Sequence, residues 1–107
     1  MLYEYRRYEV TPGKLAALNN RFQNVTTIIW QRHGIKPVGF WTAEIGESNV
    51  LHYMLEWEDM AERDRKWSAF AADPEWHTKR AASETDGPLV ARVKNEFWRP
   101  TAYSAIK

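Results

Sequence analysis

Trp67-Ser68-Ala69-Phe70-Ala71-Ala72-Asp73-Pro74-Glu75-Trp76 is the stretch whose reading decides the fold. Trp67, Phe70 and Ala71 share one helical face, and Asp73-Pro74 supplies a side-chain cap followed by a residue preset for a first helical turn. One amphipathic helix therefore ends here and a second begins. Two indoles bracketing so tight a break need a broad apolar surface beneath them, and in a chain of 107 residues a sheet is the element that offers one.

Upstream, Asp59 and Glu62 stand at capping-box spacing and open a helix from about Met60 to Ala72. Before it, Pro37 to Ile45 and Val50 to Trp57 read as strands joined across Gly46-Glu47-Ser48-Asn49, a hairpin. Leu15, Leu18, Phe22, Val25 and Ile29 are spaced three and four apart and predict a long helix. Thr11 is its expected N-cap, Pro12 its first residue, and Gly34 its left-handed end. Leu2 to Glu9 alternates as the first strand. Downstream, a short helix runs from Pro74 to about Ser83, the loop Thr85-Asp86-Gly87-Pro88 follows, and Leu89 to Trp98 alternates as a last strand. The order is β-α-β-β-α-β. Right-handed crossovers make this an α+β, ferredoxin-like protomer: a four-stranded antiparallel sheet of order 4-1-3-2 with helices on one face. We expect one domain over residues 1–107, with a core of 1–99 and a C-terminal tail of 100–107.

Fifteen basic and fourteen acidic residues leave a formal charge of +1, so no overall field selects nucleic acid or anionic lipid. Cysteine is absent, which removes disulfides, thiolate catalysis and Cys-ligated metals together. Charges fall where a signal peptide would need its apolar run, and no segment nears a membrane span, so a soluble, cytoplasmic protein without membrane insertion is expected. No histidine pair has zinc spacing, and there is no Gly-rich phosphate loop or nucleophile elbow. Neither a metal nor a cofactor is expected.

Six Trp, five Tyr and four Phe are a surplus for a single core. With Tyr3, Tyr5, Val93 and Phe97 taken to lie under the helices, the bare sheet face presents Glu4, Arg6, Tyr8, Arg92, Lys94, Glu96 and Trp98. The hairpin adds His52 and Met54, because Leu51, Tyr53, Leu55 and Trp57 form the greasier set. Such a face is too aromatic for plain solvent, and a second copy of the chain is the expected cover. Glu4, Arg6, Tyr8, Met54, Arg92 and Trp98 are the expected ligand-binding residues, with Arg6 as anion anchor. A cross-strand ion-pair network is the alternative reading of the same charges. His52 is the candidate catalytic proton carrier, or else a hydrogen-bonded filler. Trp41, Trp67, Trp76 and Trp98 form either an aromatic pocket or core packing.

Leu2-Tyr3-Glu4-Tyr5-Arg6-Arg7-Tyr8, Pro12-Gly13-Lys14 and His33-Gly34-Ile35-Lys36-Pro37-Val38-Gly39-Phe40-Trp41 resemble the NIPSNAP family. So do Trp57-Glu58-Asp59-Met60-Ala61-Glu62-Arg63, Asp73-Pro74-Glu75-Trp76 and Arg99-Pro100-Thr101-Ala102-Tyr103-Ser104. The resemblance implies a dimeric α+β barrel in which two protomers bring their open sheet faces together. It carries no agreed catalytic residues. Relatives on the same barrel include cofactor-independent monooxygenases, haem-degrading enzymes and isomerising enzymes, whereas animal members resemble interaction proteins. The expected function is therefore a homodimer holding a small organic molecule, with cofactor-independent oxygenase, isomerase or lyase chemistry as the form it would take if it is an enzyme. A non-enzymatic interaction module using the tail is the alternative, and haem binding through His52 a weaker one.

Overall fold

The computed structural model describes residues 1–107. In chain order the elements are β1 (Leu2–Val10), α1 (Leu15–Arg21), a π-helical turn (Phe22–Thr26), α2 (Thr27–His33), β2 (Lys36–Trp41), β3 (Val50–Trp57), α3 (Met60–Ala71), α4 (Pro74–Ser83) and β4 (Val90–Trp98). The strands form one sheet of order β2-β3-β1-β4, antiparallel throughout, and the fold is the expected ferredoxin-like α+β architecture. No helix is long and apolar enough to cross a membrane.

Caps set the helix boundaries. The Asp59 carboxylate accepts from the Glu62 backbone N–H at 2.8 Å, while Glu62 reaches back to the Glu58 N–H at 3.1 Å, one residue earlier than in the usual box. Asp73 accepts from the N–H groups of Glu75 and Trp76 and launches α4 from Pro74. Gly34, at φ +69°, closes α2 in the left-handed conformation. The first helix starts later than its sequence suggests. Lys14 N–H bonds to the Thr11 carbonyl across Pro12-Gly13, with Gly13 at φ +82°, so the Pro-Gly pair makes a tight turn and the helix begins at Leu15. Thr11, expected as a helix cap, instead ties this turn to Pro88 and Leu89. The second strand stops at Trp41 rather than Ile45, where Gly46 and Asn49 both turn to positive φ.

Between α1 and α2 the π-helical turn inserts one extra residue. Thr27 Oγ1 donates to the Phe22 carbonyl at 2.9 Å and helps close it. The inner face shifts accordingly: beside Phe22 it is Thr26, not Val25, that this turn buries. Leu18 from α1, Phe22 from the π-helical turn, Ile29 and Trp30 from α2, Phe70 from α3, and Leu51, Tyr53, Leu55 and Trp57 from β3 then belong to one core. Fully burying each such side chain contributes roughly 1.5–3 kcal/mol relative to leaving it exposed.

Residues paired directly across an antiparallel sheet share a face. Glu4 pairs with Leu55 and Phe97, Arg6 with Tyr53 and Asn95, and Tyr8 with Leu51 and Val93. These residues lie under the helices, since Tyr53 and Tyr8 touch the Phe22 ring and Arg6 sits over Trp67. The face expected for β1 is thus reversed. Glu4, Arg6 and Tyr8 point into the molecule, and Tyr5 lies on the bare side with His52, Met54 and Trp98. Charge on a strand faces outward unless it is partnered; here the buried Glu4 is held by Arg6 and by Trp57, Arg63 and Asn95, which lie far along the chain.

Candidate functional site

Glu4 is completely buried, and its two oxygens receive five hydrogen bonds. Oε1 accepts from Trp57 Nε1 at 3.1 Å and Arg63 Nε at 3.2 Å. Oε2 accepts from Arg6 Nη1 at 2.8 Å, Arg63 Nη2 at 3.1 Å and Asn95 Nδ2 at 3.0 Å. Burial opposes its ionisation, yet Arg63, Asn95 and Arg6 together hold the carboxyl below its usual range.

From Arg6 the network turns toward a cavity. Its guanidinium lies 4.5 Å from the Trp67 ring centre, and Nε donates to Tyr53 Oη at 2.7 Å; Tyr53 in turn meets Tyr8 Oη at 2.8 Å. Burial works against the Arg6 charge, but the oxygens of Tyr53, Tyr8 and Glu4 more than offset it and raise the Arg6 pKa. Burial, and then Tyr8, push the Tyr53 phenol well above its ordinary value.

The cavity has a volume of about 330 Å³ and lies between the sheet and the helices. Arg6 and Tyr8 form part of its floor. Phe22 and Thr26 come from the π-helical turn, Trp30 from α2, and Trp67, Phe70 and Trp76 from the α3–α4 junction. The two indoles that bracket that junction therefore serve the cavity wall, with Phe70 packed between them at 5.2 and 4.8 Å. The lining carries three guanidiniums, those of Arg6, Arg21 and Arg80, and one carboxylate, Glu84, which Arg21 and Arg80 approach.

Three buried side-chain atoms lack any hydrogen-bond partner: Arg21 Nε, Thr26 Oγ1 and Trp30 Nε1. All three belong to cavity-lining residues. An orphaned buried polar atom destabilises a fold by about 1–3 kcal/mol, so three around one space are a concentration of unmet bonding capacity. Arg21 is the most demanding. It is 6% exposed, donates one hydrogen bond, from Nη1 to Ser83 at 3.1 Å, and stands 3.6 Å from Glu84. Burial lowers its pKa, with Glu84 opposing, but a guanidinium keeps its proton at any physiological pH. The π-helical turn starts and ends at Phe22 and Thr26, two residues of this wall, and π-turns within helices are frequent at functional sites.

The expected site residues divide between the two faces. Arg6 and Tyr8 line the cavity, and Glu4 anchors Arg6 from behind. His52, Met54, Arg92 and Trp98 lie on the bare face, where His52 Nδ1 meets Tyr5 Oη at 2.7 Å, Trp98 stacks on Tyr5 at 5.0 Å, and Arg92 pairs with Glu9 at 3.0 Å. His52 and Arg6 occupy opposite sides of the sheet, so one small ligand cannot touch both; the residue opposite His52 on β1 is Arg7. Trp67 and Trp76 belong to the aromatic pocket, Trp41 and Trp98 do not. The sequence reading missed Arg21, Thr26 and Trp30. Arg21 had a signal: it follows Leu18 by three and precedes Phe22 by one, placing a charge on the apolar stripe of its helix.

A second depression, of about 430 Å³, is bordered by Met1, Leu2, the start of α3 and the tail residues Arg99 to Ala102. It is larger, but none of the residues with an orphaned atom lines it. The site is therefore assigned to the space between helices and sheet.

The sequence model of the NIPSNAP family matches residues 3–105. Protein NipSnap homolog 1 of Danio rerio is 22% identical over 115 residues; the alignment takes in 99% of this chain, which spans only 36% of that protein. A solved NIPSNAP family protein of unknown function from Agrobacterium tumefaciens superposes with a TM-score of 0.88 at 23% identity, over 100% of this chain and 94% of the other. A putative antibiotic biosynthesis monooxygenase from Chloroflexus aurantiacus gives 0.59 at 14% identity over the full length of both. At these identities the structural likenesses establish the fold alone.

Proposed function

The chain belongs to the NIPSNAP family, and from that premise we propose that it works as a homodimeric barrel protein holding a small organic molecule between its helices and its sheet. The observation that carries the reading is that Arg21, Thr26 and Trp30, each with an unpartnered buried polar atom, all line one 330 Å³ space. That volume falls at the lower end of small-molecule sites, and its walls combine aromatic rings with a few converging polar groups, as such sites do. A fold hosts many reactions, so the likeness to the monooxygenase carries none of its chemistry over.

The dimer rests on the bare side of the sheet. There β4 leaves Trp98 45% exposed, and Val93 and Phe97 on its other side are also uncovered. Arg7, Arg92 and Lys94 alternate with Glu9, Glu56 and Glu96 around Tyr5 and Trp98, so a twofold rotation can set each sign against the other. Native mass spectrometry of protein purified without added ligand tests both halves. Two copies with a retained small molecule are expected. A species that stays single at micromolar concentration refutes the dimer, and a cavity that takes up no organic molecule refutes the binding role.

A second reading, a protein-interaction module, draws on the tail, where Tyr103 is 91% exposed and Ile106 also stands free. Truncation after Pro100 should then abolish partner capture and leave self-association unchanged. Capture that survives the truncation removes this reading.

A further inference from the structure

The hydrogen-bond direction through the tyrosine pair is forced. A guanidinium can only donate, so Tyr53 Oη must accept from Arg6 Nε at 2.7 Å. Tyr53 is 0% exposed, and Arg6 and Tyr8 are its hydroxyl's only partners, so its proton has one destination: Tyr8 Oη at 2.8 Å. Tyr8, already accepting there, must aim its own proton elsewhere. Its hydroxyl makes no other bond within the fold, and Tyr8 lines the cavity. Arg6 thus acts through Tyr53 to present Tyr8 as a donor.

The other unmet groups have the same polarity. Arg21 Nε and Trp30 Nε1 can only donate, and Thr26 Oγ1 carries a proton as well. The one lining carboxylate, Glu84, is already engaged by Arg21 at 3.6 Å, Arg80 at 3.5 Å and the Leu89 N–H at 3.1 Å. Beside this engaged carboxylate the lining carries the guanidiniums of Arg6, Arg21 and Arg80 and the Tyr8 hydroxyl as donors, against the His77 imidazole and the Thr26 hydroxyl as side-chain groups able to accept, with Trp67, Phe70 and Trp76 as the apolar wall.

We propose that the occupant is a small organic acid with a ring or branched apolar body, its carboxylate received by Tyr8 and Arg21 and its body laid against the indoles. This rests on the binding role put forward above and names the ligand class for the same site. Arg6 is a positioning residue: it fixes the direction of the hydroxyl chain and sends its own Nη1 to Glu4.

The test is calorimetric titration of the intact chain with benzoate, phenylacetate and 3-phenylpropionate, each against its neutral primary amide. At least one acid should bind about tenfold more tightly than its amide, the difference expected of one charge-assisted hydrogen bond. Arg21→Gln should erase that preference while the amide still binds, which shows that the cavity has survived. Tyr8→Phe should weaken the acid about tenfold, and Tyr5→Phe, on the bare face, should leave it unchanged. Acid and amide binding alike overturns the ligand class and leaves a small-molecule cavity standing. No uptake of any acid or amide at millimolar concentration, by a protein that also carries no molecule from its host, overturns the binding role itself.

Discussion

Glu4→Gln is the substitution that the buried network constrains most. The carboxylate accepts five donors, two on Oε1 and three on Oε2. An amide keeps one acceptor oxygen, so whichever way Gln turns, its NH2 group faces at least two of those donors. Each charged hydrogen bond lost is worth about 1.5–3 kcal/mol, and breaking a buried ion pair about 3–5 kcal/mol, so we expect a loss near 3 kcal/mol. For a domain of this size that lowers the melting temperature by about 15 °C. Urea unfolding at fixed protomer concentration, followed by circular dichroism, measures it through the midpoint at constant slope. Arg6→Met added to Glu4→Gln should destabilise by less than the sum of the two, because the first change has already stranded the guanidinium. Acid titration gives an independent check. Glu4 has a depressed pKa in the fold, so its contribution is fully present above its unfolded value of about 4.3 and drains away as pH falls below that. The gap between wild type and variant should therefore narrow below about pH 4. A deficit under about 1 kcal/mol, or one indifferent to pH, refutes the network as a source of stability.

Three further outcomes follow from the geometry. The Asp73 carboxyl is held well below its usual range by His33, with Arg32 and the Trp76 and Glu75 N–H groups adding to it. Its stabilisation should be lost as pH falls below about 3.9, so the wild-type melting temperature should drop more steeply in acid than that of Asp73→Asn. Parallel melting curves for the two proteins would contradict this. Gly34→Ala forces a side chain into φ +69° with its Cβ 3.2 Å from Lys66 Nζ. Because Lys66 can move away, the backbone term dominates, and a loss of about 1 kcal/mol in chemical denaturation is expected. Thr26→Val removes an orphaned hydroxyl at nearly constant shape, so the ligand-free protein should gain about 1 kcal/mol while losing affinity for its occupant. A destabilised Thr26→Val protein would show that the hydroxyl is satisfied in solution.

The fold was legible where local chemistry and long-range need agreed. Asp73-Pro74, the Asp59–Glu62 pair and Gly34 mark helix ends through their own caps, and the apolar alternation of Leu51, Tyr53, Leu55 and Trp57 fixes the inner face of β3. The face of β1 was not legible, because its pattern of Tyr and charge permits either side. The choice is made by Arg63, Trp57 and Asn95, which lie 59, 53 and 91 residues from Glu4. Of the expected site residues, Arg6 and Tyr8 line the space between helices and sheet, whereas His52, Met54, Arg92 and Trp98 lie on the bare face. Thr26 and Trp30 were not legible because a regular helical period turns Val25 inward where the inserted residue turns Thr26, whereas Arg21 precedes the insertion and sits legibly on the apolar stripe. Pro12-Gly13 suits a helix start and a tight turn equally, and the Lys14 N–H bond to the Thr11 carbonyl selects the turn.

That inserted residue means the lining is set by phase as well as by composition. Taking out Gln23 or Asn24, both exposed, would restore a regular helix and rotate one half against the other by about 100°. Either Arg21 or Trp30 would then swing off the wall, although neither had been replaced. A relative shorter by one position in this turn could keep every wall residue by name and still hold a different occupant, so length here is as diagnostic of ligand choice as identity.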